Sequence, residues 1–195
     1  MRARQGVVRP AAHSGAGRLH RRGAMSGAVV LPVRPLTAEA FAPYGQVIAP
    51  GGNGTRQIPI NDGRCMRHHD LARPFAAGPG TVALSLFDAA ATALPARLTL
   101  MERHRLGSQS FAPFGAALQL LAVVADAGIA PEALGPEHLR AFVTDGRQGL
   151  QLAPGVWHHP LLSLQAGLWL VADRIAAEVD CDVVRIHAWG VDCGL

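Results

Sequence analysis

The chain has 195 residues, 49% of them apolar, with 18 basic and 14 acidic side chains and a formal charge of +4. That length favours one domain able to bury a sizeable core without staples. All 18 basic residues are arginine, and without a lysine amine Schiff-base chemistry, covalently held pyridoxal phosphate and a GxxxxGK(S/T) phosphate loop are excluded.

The charge is uneven. Residues 1–24 carry Arg2, Arg4, Arg9, Arg18, Arg21 and Arg22 and no acid, which leaves twelve arginines against fourteen acids, or −2, on the rest. The segment lacks the apolar run of a secretory signal. It reads as a disordered extension or as sequence upstream of a start at Met25; a transit-like or nucleic-acid-binding tail is the other reading. Residues 25–195 are expected to form one domain, with no internal repeat and no linker.

In chain order, "VVLPVRPL" predicts a short strand broken by Pro32 and Pro35. "TAEAFAPYG" predicts a brief helix with Thr37 as N-cap, Glu39 in the first turn and Gly45 closing it. "APGGNGTRQ" reads as a glycine loop. From Thr81 onward come short apolar runs bounded by turn residues: "TVALSLF", "ARLTLMERH", "ALQLLAVVAD", "LRAFVTDG", "GLQLAPG", "LLSLQAG", "LWLVAD" and "CDVVRI". "GPEHLR" is one helical turn with Pro136 at its first position. Many short strands at this spacing predict an all-β barrel or jelly roll. The longest apolar stretch, around Leu120 to Ala125, is far short of the ~20 residues a membrane span needs. Cys65, Cys181 and Cys193 form no CxxC pair, which fits a reduced cytoplasmic protein without a thiolate zinc site. No GxSxG elbow occurs, and the glycines of "GPGTVA" precede a strand instead of joining one to a helix, so serine-hydrolase and dinucleotide readings lack their signposts.

The densest polar constellation is "LMERHRLGSQSFAPFG". On a strand Glu102 and His104 share a face and Arg103 points away. With Gln109 five residues on and a histidine from a distant strand, they compose an oxygen and nitrogen set suited to a divalent ion. Without a metal the same groups make a general acid/base cluster. The alternative is structural: Glu102 with Arg103 or Arg105 as surface partners and His104 a satisfied interior histidine. In "GVWHHPL" the alternation of a strand puts His158 and His159 on opposite faces.

Together, "ERHRLGSQSF", "VWHHPL", "INDGRCMRHHDLA", "LRAFVTDGRQG" and "VADR…CDV" resemble the ureidoglycolate lyase family, in the same order and with similar gaps, from about Val30 to Ile186. The resemblance implies a cupin-like double-stranded β-helix, usually dimeric, that splits ureidoglycolate into glyoxylate and urea in purine (allantoin) catabolism. Hydrolysis with release of ammonia, or a non-catalytic cupin that binds a small ligand, are the alternatives. It further implies a divalent metal, with nickel suggested, held by Glu102, His104, Gln109 and His158 at the positions of the two cupin motifs. It selects His158, through its GxxH spacing, as the inward histidine. Arg67 and His69 match the family motif and are expected to bind the substrate carboxylate. Asn61 could read the urea amide, although Asn61-Asp62-Gly63 is also a plain turn. Two departures stand out: Arg105 where the family usually has Pro, and Asp88 where some relatives carry Arg. Neither a nucleotide, a membrane nor a nucleic acid is expected as a partner.

Overall fold

The computed structural model describes residues 29–51, 55–189 and 191–195; the arginine-rich segment and part of the glycine loop lie outside them. Among the described residues the fold is almost entirely β, with one α-helix, Ala38–Phe41. Thr37 caps that helix, its hydroxyl accepting from the Ala40 amide at 3.2 Å. The all-β class read from the short strands is the class observed, and its sheets are consistent with the cupin-like fold that the resemblance implies.

Two sheets face each other. A six-stranded sheet runs in the order Asp182–Arg185, Leu100–Arg103, Trp157–His158, Leu121–Ala125, Arg140–Val143, Val33–Pro35. A five-stranded sheet runs in the order Gly45–Ile48, Gly149–Leu152, Gln109–Phe114, Gly167–Ile175, Thr81–Ala89. Between them Ala122, Val124 and Phe142 pack against Phe111, Leu150, Leu152, Trp169 and Val171. The opposite face of the six-stranded sheet buries Met101, Leu121, Val123 and Trp157 under a three-stranded sheet that contributes Leu31, Ala96, Val191 and Cys193. Leu121–Ala125 is therefore buried on both faces, which is why it reads as a continuous apolar run instead of an alternating one.

Several sequence expectations change. "VVLPVRPL" splits at Pro32 into Val29–Leu31 and Val33–Pro35, which join different sheets. "ARLTLMERH" likewise divides, into Ala96–Arg97 and Leu100–Arg103. "LLSLQAG" holds only an isolated bridge from Ser163 to Leu120, so its apolar side chains fill the core from a loop. Gly45 does not close the helix; it opens the next strand, where a Cβ would stand 1.8 Å from the Gln151 carbonyl oxygen, so only glycine permits that approach. "GPEHLR" forms the expected turn, Pro136–His138.

Apart from these layers, Arg56–Ile60 and Cys65–His69 pair only with each other in a two-stranded ribbon. Its tip, Asn61, Asp62 and Gly63, has φ of 53°, 55° and 81°, left-handed values that Asn, Asp and Gly tolerate best.

Candidate active site

Strand register explains how four side chains separated in sequence come to face one space. His158 lies directly opposite Val124 on one side and Glu102 on the other, and directly opposed residues share a face. Val124 belongs to the core between the two large sheets, so His158 and Glu102 point there too. Gln109 is opposite Leu152, another residue of that core, and enters the same space from the facing sheet. The intervening positions turn the other way: Trp157 is fully buried in the second core, with Arg103 stacked over its ring at 4.2 Å. Arg103 is therefore an interior cation and not a surface partner of Glu102. His104 follows the end of its strand, where the Gly155 amide donates to its carbonyl at 2.7 Å.

One potential ligand atom from each of Glu102, His104 and His158 lies within 4.8 Å of the others. The tautomers follow from hydrogen bonding. Nδ1 of His104 is 2.6 Å from the Asp180 carbonyl and Nδ1 of His158 is 3.0 Å from the Val156 carbonyl. A carbonyl only accepts, so each Nδ1 carries the proton and each Nε2 presents a lone pair. Nε2 of His104, Nε2 of His158 and Oε1 of Gln109 are all buried without a hydrogen-bond partner. Oε1 of Glu102 faces Nε2 of His158 at 3.5 Å. Two acceptors at that distance need positive charge between them, either a second proton on His158 or a cation. Unpartnered acceptors of imidazole, carboxylate and amide type fit a divalent ion of the Ni, Mn, Fe or Zn class.

Burial pushes the Glu102 carboxyl up, while a proton on Nε2 of the facing His158, with positive charge on His104 and His159, outweighs burial and takes the group below its ordinary range. His159 is partly buried, Nδ1 lying 2.9 Å from the Pro160 carbonyl, and burial pushes its imidazole below the ordinary histidine value. Cys181 sets its thiol 3.9 Å from Oε2 of Glu102; burial and that carboxylate push the thiol up, so it stays protonated.

His104 and Gln109 line a cavity of about 300 Å³ with Asp173, Arg174, Glu178, Asp180 and Cys181. Arg174 bonds Glu178 and the Ala77 carbonyl, and its stem crosses Gly80 and Gly107, where any Cβ would collide with it. Arg67 and His69 open on a different cavity, about 510 Å³, with His68, Ser110 and Leu170. Asn61 is exposed at the ribbon tip. Within one copy, then, Glu102, His104, Gln109 and His158 come together, and Arg67, His69 and Asn61 do not join them.

The family model described as ureidoglycolate lyase matches residues 28–191. The chain belongs to the ureidoglycolate lyase family. It is 44% identical over 171 residues to a ureidoglycolate lyase from Burkholderia cepacia, covering 86% of this chain and 93% of that one. It is also 45% identical over 150 residues to one from Brucella ovis (76% and 85% covered) and 43% identical over 154 residues to one from Stutzerimonas stutzeri (78% and 87% covered). Sequence reasoning assigned no role to Asp180 and Asp182. Asp180 lies 76 residues beyond His104 in a stretch whose acids look like ordinary turn and strand-edge residues, so no spacing signal announced it. Arg105 donates its backbone amide to Asp180 at 2.9 Å, a bond that a proline at this position could not make.

Proposed function

We propose that this chain is a ureidoglycolate lyase that eliminates urea from ureidoglycolate to leave glyoxylate, with Glu102, His104, Gln109 and His158 as its metal-binding and catalytic set. The observation that carries the reading is the convergence of two unpartnered buried imidazole nitrogens on the Glu102 carboxylate, with the unpartnered Oε1 of Gln109 in the cavity that His104 lines, in a chain of this family. A divalent ion, nickel by family resemblance, would be held by those four residues and would supply Lewis acidity, lowering the pKa of the substrate hydroxyl and stabilising the developing oxyanion.

The chemistry balances without water. The hydroxyl proton leaves as the C=O of glyoxylate forms, the C–N bond breaks, and the urea nitrogen takes up a proton. Glu102, held ionised, supplies negative charge at the site. His104 and His158, their Nδ1 protons fixed on carbonyls, keep Nε2 turned inward. The site needs no covalent intermediate, which suits a chain without lysine.

We also propose a homodimer. The Thr81–Ala89 strand is the edge of its sheet, and Val82, Leu84 and Leu86 on it are 41%, 70% and 51% exposed, next to exposed Leu168 and Phe114. A long apolar edge favours pairing with a second copy. Because Arg67 and His69 open on a different cavity from the Glu102 cluster, their proposed role, gripping the substrate carboxylate, is assigned across the dimer. The ribbon of one copy would serve the cluster of the other, and Asn61 at its tip would read the urea amide. The ribbon supports this with Arg56, Arg64 and Arg67 against the acidic Asp173, Glu178 and Asp180 of the cluster cavity. No helix among the described residues is long and apolar enough to cross a membrane, and we place the enzyme in the cytoplasm.

The test is detection of urea and glyoxylate from ureidoglycolate, before and after chelation and with nickel added back. Urea in step with glyoxylate, lost on chelation and restored by nickel, is the expected result; ammonia as the primary product would overturn the lyase reading.

A further inference from the structure

We propose that Asp180 is a positioning residue for His104, fastening the turn after the Leu100–Arg103 strand so that His104 presents Nε2 to a divalent cation. The proposal rests on the metal-site reading above. Asp180 makes three contacts to three consecutive residues. Its carbonyl accepts from Nδ1 of His104 at 2.6 Å, its Oδ1 from the Arg105 amide at 2.9 Å and its Oδ2 from the Leu106 amide at 2.6 Å.

His104 needs this help more than His158 does. The carbonyl that fixes the His158 ring belongs to Val156, two residues away in the same chain segment, and the His158 backbone is paired on both sides. His104 lies past its strand, outside the ladder, and its ring is fixed by a residue 76 positions distant. That remote carbonyl can hold a ring orientation only if residue 180 is itself held against the turn, and the carboxylate does so through two charge-assisted bonds. The next two residues close the same grip. Cys181 touches Glu102, and Asp182 accepts from Nε of Arg103 at 2.9 Å and Nε of Arg105 at 2.6 Å. Outer partners that fix a ligating histidine's tautomer typically change metal affinity by about 10–100-fold when removed.

The experiment titrates Co²⁺ alone into wild type, D180A, D180N, H104A and the H104A/D180A double variant. D180A is expected to weaken Co²⁺ binding by about 10–100-fold. D180N, whose amide oxygen still accepts a backbone bond, is expected to recover most of that loss, and D180A is expected to cost nothing further once His104 is gone. Wild-type affinity in D180A, or an equal loss in both backgrounds, would overturn the proposal. A second measurement does not depend on how the variants fold: imidazole ¹⁵N spectra of metal-free wild type should show His104 as the Nδ1–H tautomer, and the Nε2–H tautomer would sink the idea. If wild type takes up no Co²⁺, the metal reading falls by itself, and the tautomer still decides for or against Asp180.

Discussion

Oε1 of Glu102 and Nε2 of His158 face each other at 3.5 Å from directly opposed strand positions, and the other nitrogen of His158 is already committed to the Val156 carbonyl. The contact is therefore unsatisfied unless positive charge enters between the two. E102Q and H158A are each expected to abolish tight Co²⁺ or Ni²⁺ binding and to lower the rate of urea release by about 10²-fold or more, the least a positioned catalytic group is usually worth. H159A is expected to keep metal affinity within a few-fold of wild type. Metal titration with a coupled urea assay reads both, and a tolerated H158A beside a metal-free H159A would show that the wrong histidine faces the site.

Arg67 is tested by mixing copies. R67Q is expected to raise KM for ureidoglycolate more than it lowers kcat, because it removes a grip on the non-reacting carboxylate. R67Q and H158A dimers, each inactive under limiting substrate, are expected to regain about a quarter of wild-type activity after subunit exchange, since a two-fold hybrid then holds one intact shared site. No recovery despite demonstrated exchange would place Arg67 in its own copy's chemistry or outside the reaction.

The apolar edge gives a separate prediction. Leu84 and Leu86 project from the exposed face of the Thr81–Ala89 strand, so the L84E/L86E double variant is expected to shift the protein from dimer to monomer. Light scattering coupled to size exclusion measures it; a wild-type monomer at micromolar concentration would remove the dimer proposal.

Asp182 sets an acid limit. Hydrogen bonds from Arg103 and then Arg105 hold its carboxyl below the ordinary 3.8. A carboxylate depressed on folding adds stability that is present above its unfolded pKa and lost as pH falls through the folded value. Unfolding temperature should therefore fall as pH drops below about 4, and D182N should show a flatter decline there together with a lower plateau at neutral pH. Calorimetry across that range checks the slope; identical profiles would deny Asp182 this role.

Trp157 is fully buried, donates its Nε1 hydrogen to the Ile129 carbonyl at 2.9 Å and carries Arg103 on its ring. W157A is expected to cost about 3–5 kcal/mol and W157F less, since only the hydrogen bond and part of the ring area go. Denaturant unfolding measures both; a loss below about 1 kcal/mol for W157A would mean that the second core is not what holds this strand.

Alternation in "MER" and "VWHH" was legible before any coordinates. Met101 and Trp157 go to one core, Glu102 and His158 to the other, because successive side chains on a strand must leave by opposite faces. "LLSLQAG" misled, since an apolar run bounded by turn residues looks the same whether it lies in a ladder or plugs a core from a loop. Arg174 gave no signal of its partner: its guanidinium crosses the space left by Gly80 and Gly107 to reach Glu178.

What the sequence by itself determined was the β class, the alternation that separates Glu102 from Arg103 and, through its motifs, the family. These rest on local periodicity and on residue types in fixed spacing, both of which are properties of short segments. Only the tertiary structure decided that His158 stands opposite Glu102, that the Asp180 carbonyl accepts the hydrogen bond from Nδ1 of His104, and that Arg67 opens on a different cavity from the cluster. Those depend on strand order and register between segments tens of residues apart. The period of two says which face a residue takes but not which partner it will meet there.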